Sequence, residues 1–218
     1  MNNIKKLWGS FARQIDIPDR GIDASFHALQ ERYSLPRRHY HTLSGHIRQC
    51  IDLFRSIRHA AIEPLAVEAA LWTHDAYYCP GASDNEEQSG IWMRSFFERF
   101  GVRDKNLVDR IANLISATSH REAPNGNDAE LVADIDLTIL GALRKDFDRY
   151  EVGIRNEYAW VPWPVFAEKR ASVLKKFLDR PAIYHHRVFV ERYERRARRN
   201  LSRSIRKLQQ HQPTKARE

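Results

Sequence analysis

The chain has 218 residues and a formal net charge of +8, with 42% hydrophobic and 29% charged residues. This composition is typical of a globular protein and excludes a disordered or fibrous chain. No stretch approaches the roughly 18 apolar residues that a membrane span needs, and the charged N-terminal segment lacks the apolar core of a signal peptide. We therefore expect a cytoplasmic protein without a membrane partner, and its oligomeric state stays open.

The two cysteines, Cys50 and Cys79, are too few and too isolated for a disulfide framework or a CxxC metal site. Cys50 falls on the apolar side of a predicted helix and is interpreted as a small core residue. Neither cysteine is assigned a catalytic role.

The basic charge of the chain is concentrated near its C-terminus. Residues 187–218 contain eleven Lys or Arg and three Glu, so they account for the whole net charge. The favoured interpretation is a solvated helix laced with charge, and the alternative is a surface for nucleic acid or another anionic partner.

The predicted elements, taken in chain order, are helices. Residues 43–58 carry one apolar stripe. The next helix, 65–78, begins after Pro64 and is apolar on almost every side, so we expect it at the centre of the fold. Further helices are predicted to begin at Asp84, Asp104 and Asp128 and to cover 143–156, 163–178 and about 188–208.

One segment gives conflicting signals. Ile135, Leu137 and Ile139 alternate with polar residues, which taken alone resembles a strand. Because the neighbouring segments are helical and no partner strand is evident, we predict a buried helix. The chain contains no repeat and no Gly/Ser-rich linker. We therefore predict one all-α domain over 1–218, with a core at about 24–180, a basic helix at about 185–210 and a disordered tail at 211–218.

Three sets of polar residues stand out from this apolar background. His74 and Asp75 lie in the central helix, where an unpaired carboxylate would be costly. Alone, they fit a structural hydrogen-bonded pair slightly better than a metal site. Asp134 and Asp136 interrupt another apolar run, and each alone could be a helix cap or an ion-pair partner. The third set is the histidine cluster His39, His41 and His46.

Together, these segments offer two imidazoles and two carboxylates, a mixed N/O set suited to Mn²⁺, Fe²⁺, Ni²⁺, Zn²⁺ or Mg²⁺. Such an ion polarises a phosphoryl oxygen and lowers the pKa of bound water, so that hydroxide can attack at neutral pH. A nearby cation such as Arg38 would hold a phosphate bidentately and offset charge that develops in the transition state.

The order His46…His74-Asp75…Asp136 is similar to the H…HD…D signature of the HD superfamily of metal-dependent phosphohydrolases. More narrowly, the chain resembles a small bacterial family described as predicted metal-dependent HD phosphohydrolases. The resemblance covers about residues 30–205 and implies a helical HD-domain bundle. Its motifs are RHYHTLSGHI (38–47), ALWTHDAYY (70–78), DNEEQS (84–89), ISATSH (115–120), DIDLTILG (134–141), IRNEY (154–158) and ERRARRNL (194–201).

This resemblance implies a role for each matching residue. His46, His74, Asp75 and Asp136 would hold the metal, and Asp75 would also orient the attacking water. Tyr40-His41 is similar to the pair that opens the catalytic helix of cyclic-nucleotide phosphodiesterases, which makes His41 the candidate general acid. His120 resembles a histidine that many HD enzymes place beside the substrate phosphate or a second ion.

The spacing of the first two histidines departs from the family pattern, in which they lie four residues apart. His41 and His46 are five apart with Gly45 between them. Either the helix begins near Ser44, so that His41 lies on the preceding turn, or Gly45 marks a bulge. His39 is a possible substitute for His41 as the acid. Because His120 is the one added histidine between the HD pair and Asp136, we favour one divalent ion over two.

The leading functional hypothesis is hydrolysis of a phosphomonoester or phosphodiester, with a nucleotide as the leading candidate. The alternative is a non-catalytic module that binds a phosphorylated ligand or nucleic acid, using the basic C-terminal helix. A di-iron redox enzyme is the least favoured, because it would need more histidines. The sequence does not indicate the substrate or the native metal.

Overall fold

The structure, a computed structural model, describes residues 2–210, and every regular element in that range is helical. The predicted all-α fold is therefore confirmed. The segment at 134–139 is helical as predicted, since one helix ends at Asp136 and a 3₁₀ helix follows at Leu137–Gly141. Within residues 2–210, no helix has the length and apolar character that crossing a bilayer would require. The predicted disordered tail lies outside the described residues.

The chain divides into two compact units, Met1–Asp136 and Leu137–Glu218. The assignment of one domain to 1–218 stays a prediction. The helices of the first unit are α1 (Asn2–Gln14), α2 (Asp19–Tyr33), a π turn (Leu43–Ile47), α3 (Arg48–Ser56), a 3₁₀ turn (Arg58–Ala60), α4 (Pro64–Thr73), α5 (Asn85–Arg99), α6 (Lys105–Ala117) and α7 (Asn127–Asp136). The second unit contains the 3₁₀ helix Leu137–Gly141, α8 (Arg144–Glu157), α9 (Trp163–Leu178), α10 (Arg187–Phe189), a π turn (Val190–Glu194) and α11 (Arg195–Gln210).

Helix α4 occupies the centre of the first unit, as its apolar sequence predicts. Eight of its ten residues are buried, and it packs against α3, α5, α6 and α7. Its acidic residue, Glu68, is 1% exposed and accepts hydrogen bonds from Nε and Nη2 of Arg55 at 3.0 and 2.7 Å. Because this carboxylate is paired, its burial does not leave an uncompensated charge in the core.

Helices α1 and α2 were not predicted, although α1 belongs to the core. Trp8 and Phe11 of α1 are fully buried, and the ring of Trp8 lies 5.4 Å from that of Trp72 in α4. Trp8 also donates a hydrogen bond from Nε1 to Ser25 Oγ of α2 at 2.9 Å. The core therefore begins well before residue 24, and the helical spacing of Ile4, Trp8 and Phe11 was an available sequence signal.

The predicted helix over 65–78 is too long at its C-terminal end. Helix α4 ends at Thr73; the N–H of His74 still bonds to Ala70 O at 2.8 Å, but Asp75 lies in the turn that follows. The carbonyl oxygens of Asp75 and Ala76 instead accept hydrogen bonds from Arg38 at 2.8 and 3.0 Å. The His–Asp pair therefore lies at a helix end, where consecutive side chains are not held at a helical angle.

The second unit is built around α11, which packs against α9 and the 3₁₀ helix at 137–141. Ala197, Leu201 and Leu208 form its buried apolar stripe. A Cβ added to Gly141 would lie 2.6 Å from Cβ of Tyr193, so the close approach of these segments requires glycine.

Candidate metal centre

The four predicted metal ligands come from three segments of the first unit, and three of them, His46, His74 and Asp136, form a group that could hold one ion. His46 lies in the π turn, His74 and Asp75 at the end of α4, and Asp136 is the last residue of α7. The imidazoles are 3% and 2% exposed, whereas the carboxylate side chains of Asp75 and Asp136 are 18% and 16% exposed. The cluster is therefore buried but reachable from one side.

The facing atoms of the cluster lie close together. The Nε2 atoms of His46 and His74 are 3.1 Å apart. Asp136 Oδ1 lies 2.9 and 3.5 Å from these two nitrogens, and Asp75 Oδ2 lies 3.5 and 3.2 Å from them. The ligand atoms of His46, His74 and Asp136 all lie within 4.8 Å of one another and could hold a metal ion; Asp75 is a fourth donor that contacts both imidazoles.

These separations match the spacing of ligands around one ion. With metal–ligand bonds of about 2.1 Å, neighbouring ligand atoms lie about 3.0 Å apart in octahedral and about 3.4 Å apart in tetrahedral coordination. Two ionised carboxylates and two neutral imidazoles carry a total charge that a divalent cation would balance. Distance, donor type and charge therefore all fit a divalent ion.

A purely structural hydrogen-bonded pair explains the cluster less well. A single N–H on His74 Nε2 cannot point at once to another imidazole nitrogen and to two carboxylate oxygens, all within 3.5 Å. Asp75 Oδ2 is buried and has no hydrogen-bond partner among the described residues. Because a buried charged acceptor without a partner is costly, this oxygen fits a cation ligand better than a member of a hydrogen-bonded pair.

The pKa shifts of His74, Asp75 and Asp136 show how the cluster is charged when no cation is bound. Burial alone would lower the pKa of His74, but the carboxylates of Asp75 and Asp136 outweigh it and raise that pKa well above its ordinary value. Burial would likewise raise the pKa of Asp75 and Asp136, yet the surrounding histidines hold both below the usual range. The two carboxylates stay ionised and attract positive charge, which a proton on His74 or a metal ion can supply.

Three of the four donors are oriented by a second contact. Nδ1 of His46 lies 2.9 Å from the hydroxyl of Tyr40, and Nδ1 of His74 lies 3.2 Å from Leu71 O. Asp136 uses its other oxygen, Oδ2, to contact His120 Nε2 at 2.7 Å. A partner on Nδ1 leaves Nε2 free to bind metal, as is usual for metal-ligating histidines. Tyr40 was not predicted in this role, although it lies six residues before His46.

The five-residue spacing between His41 and His46 is explained by the π turn. Thr42 caps this turn by accepting a hydrogen bond from Gly45 N at 3.2 Å, so His41 precedes the helix. A Cβ at position 45 would lie 2.7 Å from Thr42 Oγ1, which explains the glycine. The ring of His41 lies 5.9 Å from that of His46 and 4.2 Å from that of Tyr78.

His41 is half-buried beside the cluster, whereas His39 is exposed. The positive charge of His41 is among the causes that lower the pKa of Asp75. His41 is therefore better placed than His39 for proton transfer at this site. Its role as general acid stays a prediction.

His120 and Arg38, the predicted phosphate-binding residues, both contact the cluster or its backbone. His120 adopts φ +53° and contacts Asp136, as described above. Arg38 donates from Nη1 to His41 O at 3.0 Å and from Nη2 to the carbonyls of Asp75 and Ala76. Its guanidinium also lies over the rings of Tyr33 and Tyr78. Arg38 thus joins the two segments that carry His41 and Asp75, and phosphate binding by Arg38 and His120 stays a prediction.

Comparison of this chain with protein-family models, with curated proteins and with solved structures found no match. The resemblance to the HD superfamily therefore rests on the sequence motifs alone, and membership stays a prediction.

Proposed function

We propose that this protein is a metal-dependent phosphohydrolase that cleaves a phosphomonoester or phosphodiester, with nucleotides as the first substrates to test. The observation that carries the proposal is the convergence of two imidazole nitrogens and two carboxylate oxygens at 2.9–3.5 Å. His46, His74, Asp75 and Asp136 would hold one divalent ion. When bound, such an ion supplies Lewis-acid polarisation of a phosphoryl oxygen and lowers the pKa of water.

The residues of the chain account for orientation and proton transfer. With Oδ2 of Asp75 facing the ion, the other oxygen of this carboxylate would orient the attacking water. His41 lies at the rim of the cluster, where a protonated imidazole could donate to the leaving oxygen. Tyr40 and His120 fix the orientations of His46 and Asp136 through the contacts described above, which limits reorganisation during the reaction.

The first experiment combines elemental analysis of the purified protein with a panel of phosphomonoesters and phosphodiesters. Each substrate is assayed with added Mn²⁺, Mg²⁺, Ni²⁺, Fe²⁺ or Zn²⁺. We expect about one bound transition metal per chain, as in mononuclear sites, and turnover that a chelator removes. The substrates that are cleaved would then identify the leaving group.

A matched pair of variants tests the assignment of the site. His74→Gln removes one ligand, and we expect loss of bound metal and at least about a hundredfold loss of turnover. His59→Gln makes the same change at an exposed position and should leave both unchanged. If His74→Gln retained full metal content and activity, the proposal would be wrong.

A further inference from the structure

The arginines of α11 fall into two sets that the structure separates. Arg196, Arg198 and Arg203 donate to partners within the second unit. Arg195, Arg199 and Arg206 are exposed and have no hydrogen bond, ion pair or ring contact among the described residues. The residues of the first set contribute to packing, whereas those of the second set extend into solvent without a partner.

The three outward arginines form one line, which we call the arginine stripe: Arg195, Arg199 and Arg206. They lie four and seven residues apart within one regular helix, so their side chains fall within about 40° of each other around its axis. The line is about 16 Å long, with gaps of about 6 and 10 Å. The buried face of α11, which includes Asn200, lies on the opposite side.

Within the described part of the second unit, no acidic residue contacts this stripe. The sequence of α11 contains no Asp or Glu. Among the described residues, the acidic partners of α11 are Asp148, Glu151 and Glu194, and they contact Arg198, Arg203, Ser204 and Lys207 rather than the stripe. The stripe therefore presents uncompensated positive charge, which accounts for part of the net charge of +8.

We propose that the arginine stripe binds the phosphate backbone of a nucleic acid. Arginine forms bidentate hydrogen bonds with phosphate, and a helix that only needs solubility could equally use Lys and Glu on its outer face. Along 16 Å, a duplex presents about ten phosphate charges, so three guanidinium groups in line each find a partner. The contacts are to phosphate only, so binding does not depend on base sequence.

An anionic membrane is the competing partner, and the structure favours it less. A helix that lies in a membrane interface exposes an apolar face beside its basic face. The apolar face of α11 is buried in the second unit, and none of the exposed large hydrophobic residues among the described ones belongs to α11. The stripe has charge for a polyanion but no apolar surface for insertion.

The test is fluorescence anisotropy of labelled nucleic acid with the full chain at several salt concentrations. Probes of about 30 nucleotides, as duplex and as single strand, cover the two forms that share the phosphate backbone. We expect micromolar binding at low salt, and a slope of log affinity against log salt near about −3 for duplex or −2 for single strand. Vesicles with anionic lipid serve as the third probe.

The variant Arg195→Gln/Arg199→Gln/Arg206→Gln should weaken binding at least about tenfold and reduce the salt slope by about three on duplex. The control, Lys145→Gln/Lys169→Gln/Lys176→Gln, removes the same charge at three exposed positions of the second unit and should change affinity less than about threefold. Both variants should keep the wild-type urea midpoint, because the altered side chains are exposed.

Three results would overturn the proposal. They are no binding of either nucleic acid at low salt, an equal loss of affinity in the control variant, and binding to anionic vesicles without binding to nucleic acid. The proposal concerns the second unit alone and does not rest on the proposed hydrolase activity, so the two can fail separately.

Discussion

Helices α4 and α11 place ionisable residues in opposite surroundings. Eight of the ten residues of α4 are buried; they include Glu68 and Thr73, and the His74–Asp75 pair follows the last turn. Helix α11 carries six arginines and one lysine in sixteen residues, and seven of the sixteen residues are exposed. In α4, each buried polar group must have a partner. In α11, water can satisfy a charge without one.

This difference explains why a group of ionisable residues in the sequence is informative about function in one helix and not in the other. A histidine and an aspartate in an apolar segment need a partner, and taken together with His46 and Asp136 they predict a metal site. A run of arginines predicts little, because solvation is always an alternative. Only the structure shows that Arg198 is bonded to carbonyl groups while Arg199, its neighbour, is not.

The pH dependence of metal binding gives the largest expected effect at the buried helix. Without metal, the pKa of His74 is raised in the folded chain. In the unfolded chain this pKa is near the ordinary value of 6.5, so the unfolded chain loses the proton at a lower pH than the folded chain does. That proton's contribution to stability is complete below pH 6.5 and is lost as the pH rises through the raised pKa. A bound metal requires the opposite, an unprotonated His74.

Binding of a divalent ion must displace the proton of His74. We therefore expect the affinity for the ion to rise about tenfold for each pH unit in the range where His74 is protonated without metal. Titration with Mn²⁺ at a series of pH values above 6.5 measures this slope, which persists up to the raised pKa of His74. His59→Gln should show the same dependence as the wild type. An affinity that does not change with pH would mean that His74 is not a ligand.

The site was more predictable from the sequence than the residues that support it. The apolar surroundings made the segments conspicuous, and the resemblance of the order His46…His74-Asp75…Asp136 to the HD signature selected these four residues as ligands. The partner of His46, the hydroxyl of Tyr40, was missed because that contact depends on the π turn between them. A π turn has no simple periodicity, and periodicity is the basis of helix prediction.

The fold shows the same pattern of success and failure. The all-helical class and the buried position of α4 follow from periodicity, and both are confirmed. The end of α4 was placed five residues too late, because Tyr77 and Tyr78 continue the apolar run. After the helix ends, Arg38 bonds to the carbonyls of Asp75 and Ala76, a contact that joins residues almost forty positions apart and has no local signal.

Arg38 provides a second, smaller test at the buried helix. Its guanidinium binds three carbonyl oxygens through two separate nitrogens, Nη1 and Nη2, and lysine, with one nitrogen, does not reproduce this fork. We expect Arg38→Lys to weaken metal binding about tenfold, the lower range for residues that support metal ligands. With metal in excess, KM should stay close to that of the wild type.

The opposite result would assign Arg38 to the substrate. If its main role is to hold a phosphate, Arg38→Lys should raise KM while the metal affinity stays unchanged. Arg37→Lys is the matched control, because Arg37 is exposed and directly precedes Arg38. That variant should leave both quantities unchanged.

Adjacent arginines of α11 provide the last test, on stability. Arg198 bonds to Glu194 and to the carbonyls of Leu178, Arg180 and Pro181. Arg198→Gln leaves these partly buried acceptors without their donor, and we expect a loss of about 1–3 kcal/mol in the free energy of unfolding. Arg199→Gln removes the same charge from an exposed position and should change that free energy by less than about 0.5 kcal/mol.

Urea denaturation of Arg198→Gln and Arg199→Gln measures the difference in their free energies of unfolding. Both variants lose one positive charge, so they differ only in the contacts that are removed. Nucleic-acid binding should show the reverse order, because Arg199→Gln removes one phosphate contact and reduces the duplex salt slope by about one. Arg198→Gln should leave that slope unchanged while the protein is folded. Equal losses of stability in the two variants would mean that the contacts of Arg198 contribute little to the free energy of unfolding. The division of the α11 arginines into a packing set and a solvent-facing set would then be wrong.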